Sequence, residues 1–293
     1  MSTATGISKP KGPSPTAQAF FDALDSKSSN GKQSATLKRR SQSLGWRNRH
    51  SQDEYYPISM RIDNSEVDFS VQQVQRGEID GTYGTGATLW PAAHVLLKYL
   101  EKNPNLVKGK RVVDLGSGTA VTSIACALLG ASHVICTDGE DSVVQLAADN
   151  IRHAAKELGE ASSSESSFED NQKNDDRQPK AVIRTCPIDV QKLWWGQDTI
   201  EGECQVVLVA DCVLPKLYPI GPLVQAIDEL LESPDAVAIL SYEHRHYPDY
   251  YPKEKFVELA RERGLRVETI APEKLDPVYC VDDIEIWHTY RQA

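Results

Sequence analysis

The sequence lacks any apolar run that approaches the roughly 18 residues of a membrane span, and its first residues, MSTATGISKP, lack the apolar core of a signal peptide. The six cysteines form no C-x-x-C pair, and several lie inside apolar runs. This usage favours buried free thiols in a reducing compartment over disulfides. No His, Cys and Asp cluster has metal-ligand spacing, so we expect no metal. We predict a cytoplasmic protein, with the nucleus as a second compartment.

Positive charge is scarce except near the start of the chain. Residues 1–50 contain nine Lys or Arg against two Asp, a net charge of +7, whereas all 293 residues together carry −10. The first 55 residues are rich in Ser, Lys and Gln and cannot bury enough surface to offset their ordering entropy. We interpret residues 1–55 as a disordered basic tail and residues 56–293 as one domain. The Ser, Glu and Asp-rich stretch 159–180 is expected to be an exposed insertion in that domain.

From Thr88 onward, segments with strand-like and helix-like patterns alternate. Strands are predicted at 111–115, 133–138, 181–185, 205–211, 236–242, 265–271 and 284–290. Helices are predicted at 89–103, 121–130, 142–158, 222–233 and 253–264. Strands separated by helices of this length indicate a parallel sheet covered on both faces. We therefore predict an α/β, Rossmann-like, doubly wound sheet of seven strands, mostly parallel with an antiparallel last strand.

The segment VVDLGSGTA at 112–120 is typical of a ligand loop between a strand and a helix, since Gly116 and Gly118 permit a close backbone approach. Ser117 lies between them. A dinucleotide fingerprint, G-x-G-x-x-G, requires a sixth-position glycine where this chain has Val121, which argues against a nicotinamide cofactor.

Two acids accompany this loop. Asp138 ends the following strand, twenty residues after Gly118, and this position lets a carboxylate accept hydrogen bonds from ribose hydroxyls. Asp114 lies inside the loop motif. It could meet an amino group of the ligand through water, or it could stabilise the turn, and both roles stay open.

Four further motifs surround the loop. They are TGATLWPAAHVLLKYL (85–100), LWWG (193–196), VADCV (209–213) and SYEHR (241–245). Together with VVDLGSGTA they resemble the seven-strand (class I) protein-lysine methyltransferases that modify non-histone proteins, over about 200 residues from Tyr83 to the end. The resemblance implies S-adenosyl-L-methionine as cofactor. It also implies a lysine side chain of a chaperone, AAA ATPase or elongation-factor type protein as substrate.

The resemblance further implies cofactor contacts for Trp90, for Trp195 beside the adenine, and for the small residue Ala210. Flat aromatic walls suit an adenine ring, and an electron-rich face favours a sulfonium cation. Trp194 is interpreted as the packing partner of Trp195. The family's D-x-x-Y motif is only half kept, because Asp211 is followed at the fourth position by Leu214.

Two acids are expected to orient the substrate amine. Asp211 and Glu243 end consecutive strands, on the edge where a doubly wound sheet binds ligands. Tyr218, four residues after Leu214, either supplies a ring to the same cleft or simply packs. The histidines on either side of Arg245 are expected to be surface turn residues.

Other functions remain as alternatives at this stage. A small-molecule N- or O-methyltransferase would use the same cofactor loop, and the missing D-x-x-Y tyrosine is its main support. A cofactor-binding module without activity is the third candidate. Nucleic acid is disfavoured as a substrate, because ADCV stands where an N-P-P-[YFW] motif would lie. We expect no membrane partner and a monomer.

Overall fold

The computed structural model describes residues 45–74, 84–159 and 180–292. Its strands are β1 Tyr55–Ile62, β2 Ser65–Gln72, β3 Arg111–Leu115, β4 His133–Asp138, β5 Lys180–Ile183, β6 Cys186–Lys192, β7 Val206–Ala210, β8 Val237–Glu243, β9 Leu265–Thr269 and β10 Ile284–Arg291. Its α-helices are α1 Pro91–Lys102, α2 Val121–Leu128, α3 Asp141–Glu157, α4 Ile220–Leu230 and α5 Pro252–Glu262. Within these ranges, none of the helices has the length and apolar character needed to cross a bilayer.

The main sheet has the strand order β5-β6-β4-β3-β7-β8-β10-β9. The five strands from β6 to β8 are parallel, and β10 runs antiparallel to both of its neighbours. Successive side chains of β7 point to opposite faces, so that Val206 and Leu208 join one core cluster and Val207 joins the other. Helices α1, α2 and α3 cover the first face, and α4 and α5 cover the second. This confirms the predicted doubly wound fold with its antiparallel last strand.

One edge of the sheet differs from the prediction. The strand predicted at 181–185 is the antiparallel edge strand β5, and β6, which was not predicted, is the parallel neighbour of β4. Strands β5 and β6 form a hairpin whose turn contains Arg184 at φ +56°. The sequence did not predict β6 because it contains Pro187, and proline is normally excluded from paired strands. The sheet therefore has eight strands within the described residues rather than seven.

A second hairpin, β1–β2, precedes the sheet and was also not predicted. Its two-residue turn is Asp63 and Asn64, both at positive φ, as the type I′ turn of a right-twisted hairpin requires. The hairpin packs on α3, where the Asn150 side chain bonds both the N–H and the carbonyl of Gln72. It also contacts α1, since Lys98 Nζ donates to the carbonyl of Ser59.

Residues 45–54, assigned above to the tail, pack onto the domain. Trp46 is 9% exposed, with its ring 5.0 Å from that of Tyr279 and 5.5 Å from that of His94. Arg47 forms ion pairs with Glu243 and Asp283. The large apolar ring of Trp46 explains why this part of the basic segment is held. The rest of the expected tail, residues 1–44, and residues 160–179 of the expected insertion lie outside the described residues.

Candidate active site

A cavity of about 570 Å³ opens at the carboxyl ends of the parallel strands, where β4, β3 and β7 lie side by side. Its walls come from the segment before α1 and from the loops that follow β3, β4, β6 and β7. Of the residues singled out from the sequence, it is lined by Trp90, Gly116, Ser117, Gly118, Asp138, Trp195, Ala210 and Asp211. Asp114 and Glu243 are not among its lining residues.

The loop after β3 has no room for side chains at its two glycines. Gly116 has φ +67°, and a Cβ built there would lie 2.8 Å from Cys212 Sγ. Gly118 has φ +55°, and its Cβ would lie 2.6 Å from the carbonyl oxygen of Gly86. Residues with a side chain rarely adopt this backbone conformation. A Cβ atom at either position would also lie too close to its neighbour. The loop therefore requires glycine at both positions, where its backbone packs closely on Cys212 and Gly86 at the cavity wall.

The two acids near this loop have different environments. Asp138 faces the cavity and accepts the Gly118 N–H at 3.1 Å; burial raises its pKa, and this hydrogen bond opposes the rise. Asp114 is fully buried beneath the loop and accepts the hydroxyls of Thr122 and Ser123, each at 2.7 Å. Burial raises the pKa of Asp114 to about 6. These bonds tie Asp114 to the first turn of α2, and its contact with the ligand stays a prediction.

Three tryptophans line the cavity. Trp90 caps the start of α1, and its indole N–H donates to the Thr85 carbonyl at 2.9 Å. Trp195 lies near Gly116, and its ring meets that of Tyr218 edge-on at 5.7 Å. Trp194 was interpreted as a packing residue, yet it is 43% exposed and covers Gly139 beside Asp138. Both members of the doublet therefore face the cavity.

Tyr218 also reaches the cavity, although Leu214 holds the fourth position of the D-x-x-Y motif that begins at Asp211. A single helical turn joins the two, with the Tyr218 N–H donating to the Leu214 carbonyl at 2.8 Å. The Tyr218 hydroxyl hydrogen-bonds the Thr85 hydroxyl from the opposite wall. Both the leucine and the tyrosine line the cavity. Of the two roles left open for Tyr218, the structure supports a ring in the cleft.

The acids expected to orient the amine are held in ion pairs. Asp211 is 4% exposed and bonds Arg245 through both oxygens, at 2.7 and 2.5 Å. Arg245 also contacts Glu243 at 3.2 Å, and Glu243 in turn bonds Arg47 at 2.6 Å. Burial raises the pKa of Glu243, while the two arginines favour its charged form. We call Asp211, Arg245, Glu243 and Arg47 the ion-pair chain.

The ion-pair chain changes the interpretation of the SYEHR motif. Glu243 is not among the residues that line the cavity, and its backbone N–H donates to Asp211 Oδ1 at 3.4 Å. Its role in orienting the amine stays a prediction. Arg245, between two histidines that were taken as surface residues, is the group that binds Asp211. Its side chain is only 7% exposed. The available sequence signal was an arginine two residues after Glu243, which directly follows a predicted strand.

The cavity fits S-adenosylmethionine. Its volume lies in the range of small-ligand sites, and its lining is mainly apolar with a few polar groups. The bare glycine loop admits a close ligand approach, and Asp138 offers a carboxylate at the end of the neighbouring strand. Trp194 and Leu193 form an apolar wall next to that acid.

Comparisons with known proteins agree with this site. The family model described as lysine methyltransferase matches residues 72–182, which include the glycine loop and Asp138. An S. pombe protein N-terminal and lysine N-methyltransferase, efm7, is 27% identical over 65% of this chain and 69% of its own length. The zebrafish (Danio rerio) protein N-lysine methyltransferase METTL21A is 29% identical over 71% of this chain and 82% of its own.

A third relative matches a shorter region more strongly. The protein-lysine N-methyltransferase EFM3 of Chaetomium thermophilum is 44% identical over 77 residues. These cover 26% of this chain and 23% of that relative's own length.

Proposed function

We infer that this chain, which belongs to the lysine methyltransferase family and depends on S-adenosylmethionine, methylates lysine side chains of a non-histone protein. The observation that carries the inference is the cavity itself, in which the glycine loop, Asp138 and the tryptophan walls meet an apolar end beside β7. The chaperone, AAA ATPase or elongation-factor class of substrate is proposed from the resemblance. A cytoplasmic or nuclear monomer is proposed with it.

The order of the strands suggests which part of the cofactor each region of the cavity would bind. The loops after β6 and β4 bring Trp194 and Asp138 together, which suits an adenine ring and ribose hydroxyls. The loop after β3, with Gly116, Ser117 and Gly118, would hold the middle of the cofactor. The loop after β7, with Ala210 and Asp211, would then face the methyl-donor end. When bound, S-adenosylmethionine supplies that methyl group on a positively charged sulfur.

The protein itself must position a neutral amine in line with the bond between the methyl group and sulfur. A lysine amine has a pKa near 10.4 in water, and an apolar surrounding lowers it because charge is disfavoured there. Leu214, Leu217 and the ring of Tyr218 provide such a surrounding. Asp211, with both oxygens bonded to Arg245, is proposed to fix the backbone at this end and not to take the proton. Trp90 and Trp195 are proposed as further cofactor walls.

Labelling with tritiated S-adenosylmethionine in a whole-cell protein extract tests this function. We expect label in a protein band, and mass spectrometry of that band should place the methyl group on a lysine Nζ. Label in a solvent extract alone would favour a small-molecule substrate, and label on a protein N-terminus would replace lysine by the α-amine. A chain that failed to bind the cofactor in calorimetry would contradict the cofactor assignment.

A further inference from the structure

Two hydroxyl groups meet across the cavity near the end of β7. The Tyr218 phenol bonds the Thr85 hydroxyl, and each residue is held from a second side. The Thr85 carbonyl accepts the Trp90 indole N–H, and the Tyr218 ring rests against Trp195. The pair therefore joins the segment before α1 to the loop after β7, with a fixed position for the phenol oxygen.

The carboxylates around this pair already have partners. Asp211 is bonded by Arg245, Glu243 lies between Arg47 and Arg245, and Asp138 accepts the Gly118 N–H at the other end. The neighbours of Tyr218 that line this end include Ala210, Leu214 and Leu217, which offer no polar side-chain atom. A substrate amine that enters here can bond the phenol oxygen, which the Thr85 hydroxyl holds in place.

We propose that Tyr218 is a catalytic residue that accepts a hydrogen bond from the substrate amine, and that Thr85 is the positioning residue that holds the phenol. The proposal rests on the proposed lysine methylation. A phenol that donates its proton to Thr85 Oγ1 keeps its own lone pairs for an N–H of the amine. The amine nitrogen then has its lone pair left for the methyl carbon.

Methyl transfer to the amine needs no general base from the protein. The amine enters neutral, having left its proton in solvent. The N–C bond forms as the C–S bond breaks, and the electron pair of the broken bond stays on sulfur. The methylated ammonium product then loses a proton to solvent. Tyr218 stays a protonated phenol throughout, because burial raises its pKa by more than the hydrogen bond with Thr85 lowers it.

The test compares Tyr218→Phe and Thr85→Val with wild type. The control is Tyr290→Phe, which removes a hydroxyl bonded to Glu268 on β9, away from the cavity. The probe is tritiated S-adenosylmethionine with whole-cell protein extract, and the initial rate into the lysine-labelled band is measured against extract dilution and from pH 7 to 9.5. Cofactor affinity is measured separately by calorimetry with S-adenosylhomocysteine.

We expect Tyr218→Phe to lower the rate at saturating extract about tenfold at every pH, the scale of one lost hydrogen bond. Thr85→Val should lower it about threefold, because the phenol remains but loses its support. Affinity for S-adenosylhomocysteine should stay within about twofold, and Tyr290→Phe should match wild type. The affinity for S-adenosylhomocysteine also shows whether each variant is folded, because only a folded chain binds it.

Three results would overturn the proposal. A full rate for Tyr218→Phe would remove its role, and a parallel loss of cofactor affinity would make Tyr218 a cofactor wall. A change in the slope of the rate with pH would make it a proton acceptor and not an orienting group. If wild type labels no lysine, the proposed function fails and the role of Tyr218 fails with it. Lysine labelling with an unimpaired Tyr218→Phe overturns this inference alone.

Discussion

Each half of the cavity has a buried acid, and the two acids differ in the groups that bind them. Under the cofactor half, Asp114 is held by the hydroxyls of Thr122 and Ser123, and its pKa is raised to about 6. In the half beside β7, Asp211 is equally hidden but forms a double hydrogen bond with Arg245. Both acids belong to a strand or directly follow one. The partners of such an acid, hydroxyl groups for Asp114 and a guanidinium for Asp211, therefore decide its electrostatic environment.

Breaking the ion-pair chain should have the largest effect. Arg245→Ala leaves Asp211 buried without its cation, which costs about 3–5 kcal/mol of unfolding free energy. Urea unfolding at pH 7 measures the loss. The matched control is Arg263→Ala, whose ion pair with Asp228 is exposed and is worth about 1 kcal/mol or less.

A second substitution separates lost packing from unpaired charge in the ion-pair chain. The double variant Arg245→Ala with Asp211→Asn should recover part of the stability, because the unpaired charge is gone. If the double variant were no more stable than Arg245→Ala alone, the unpaired charge of Asp211 would not be the cause of the lost unfolding free energy.

The cofactor half should respond to pH through Asp114. Its pKa is about 6 in the folded chain against 3.8 for an ordinary exposed Asp, so between these values the folded chain binds more protons than the unfolded chain. Unfolding free energy should therefore fall as pH rises from about 4 to about 6. Asp114→Asn cannot ionise, and it should remove on the order of 2–3 kcal/mol of this decline.

Urea unfolding of Asp114→Asn and wild type at four pH values between 4 and 7 measures this difference. The exposed Asp68→Asn variant is the control, since its carboxylate lies on the surface of β2. Parallel pH curves for wild type and Asp114→Asn would contradict the raised pKa of the buried acid.

The glycine loop offers a smaller but more specific test. Gly118→Ala places a methyl group 2.6 Å from the Gly86 carbonyl oxygen, and we expect S-adenosylhomocysteine to bind at least about tenfold more weakly. Gly109→Ala is the control, because Gly109 has the similar φ of +72° with no atom near its Cβ position. Calorimetry should show unchanged affinity for this control. Equal affinity for both variants would mean that the loop does not shape the cofactor site.

The smallest effect is expected where the N-terminal segment joins the ion-pair chain. Arg47→Ala removes one partner from Glu243 and one from the partly exposed Asp283, and should cost about 1 kcal/mol. The labelling rate should stay within about twofold, because Arg245 still holds Asp211. A larger loss of labelling rate would show that the segment from residue 45 belongs to the substrate half.

Local motifs made the cofactor half predictable from sequence. Gly116, Gly118 and Asp138 lie within 23 residues, in the loop after β3 and at the end of the next strand, β4, which pairs with β3. The pairs beside β7 span much greater distances, with 133 residues between Thr85 and Tyr218 and 196 between Arg47 and Glu243. Contacts at such separation depend on the whole topology and leave no local pattern.

Other misses in the fold have local causes. Pro187 concealed β6, and the short β1–β2 hairpin lacks a glycine in its turn. The helices were predictable because their apolar spacing is regular, and each observed helix begins and ends within three residues of its predicted bounds.

The position of β10 has a consequence for the order of events during synthesis. This strand is made after β8 and β9 but lies between them, and its Trp287 is completely buried against Tyr242 and Phe256. Until β10 leaves the ribosome, β8 exposes an apolar edge and β9 has no strand to pair with. The sheet therefore keeps unpaired strand edges until nearly the whole described chain has been made.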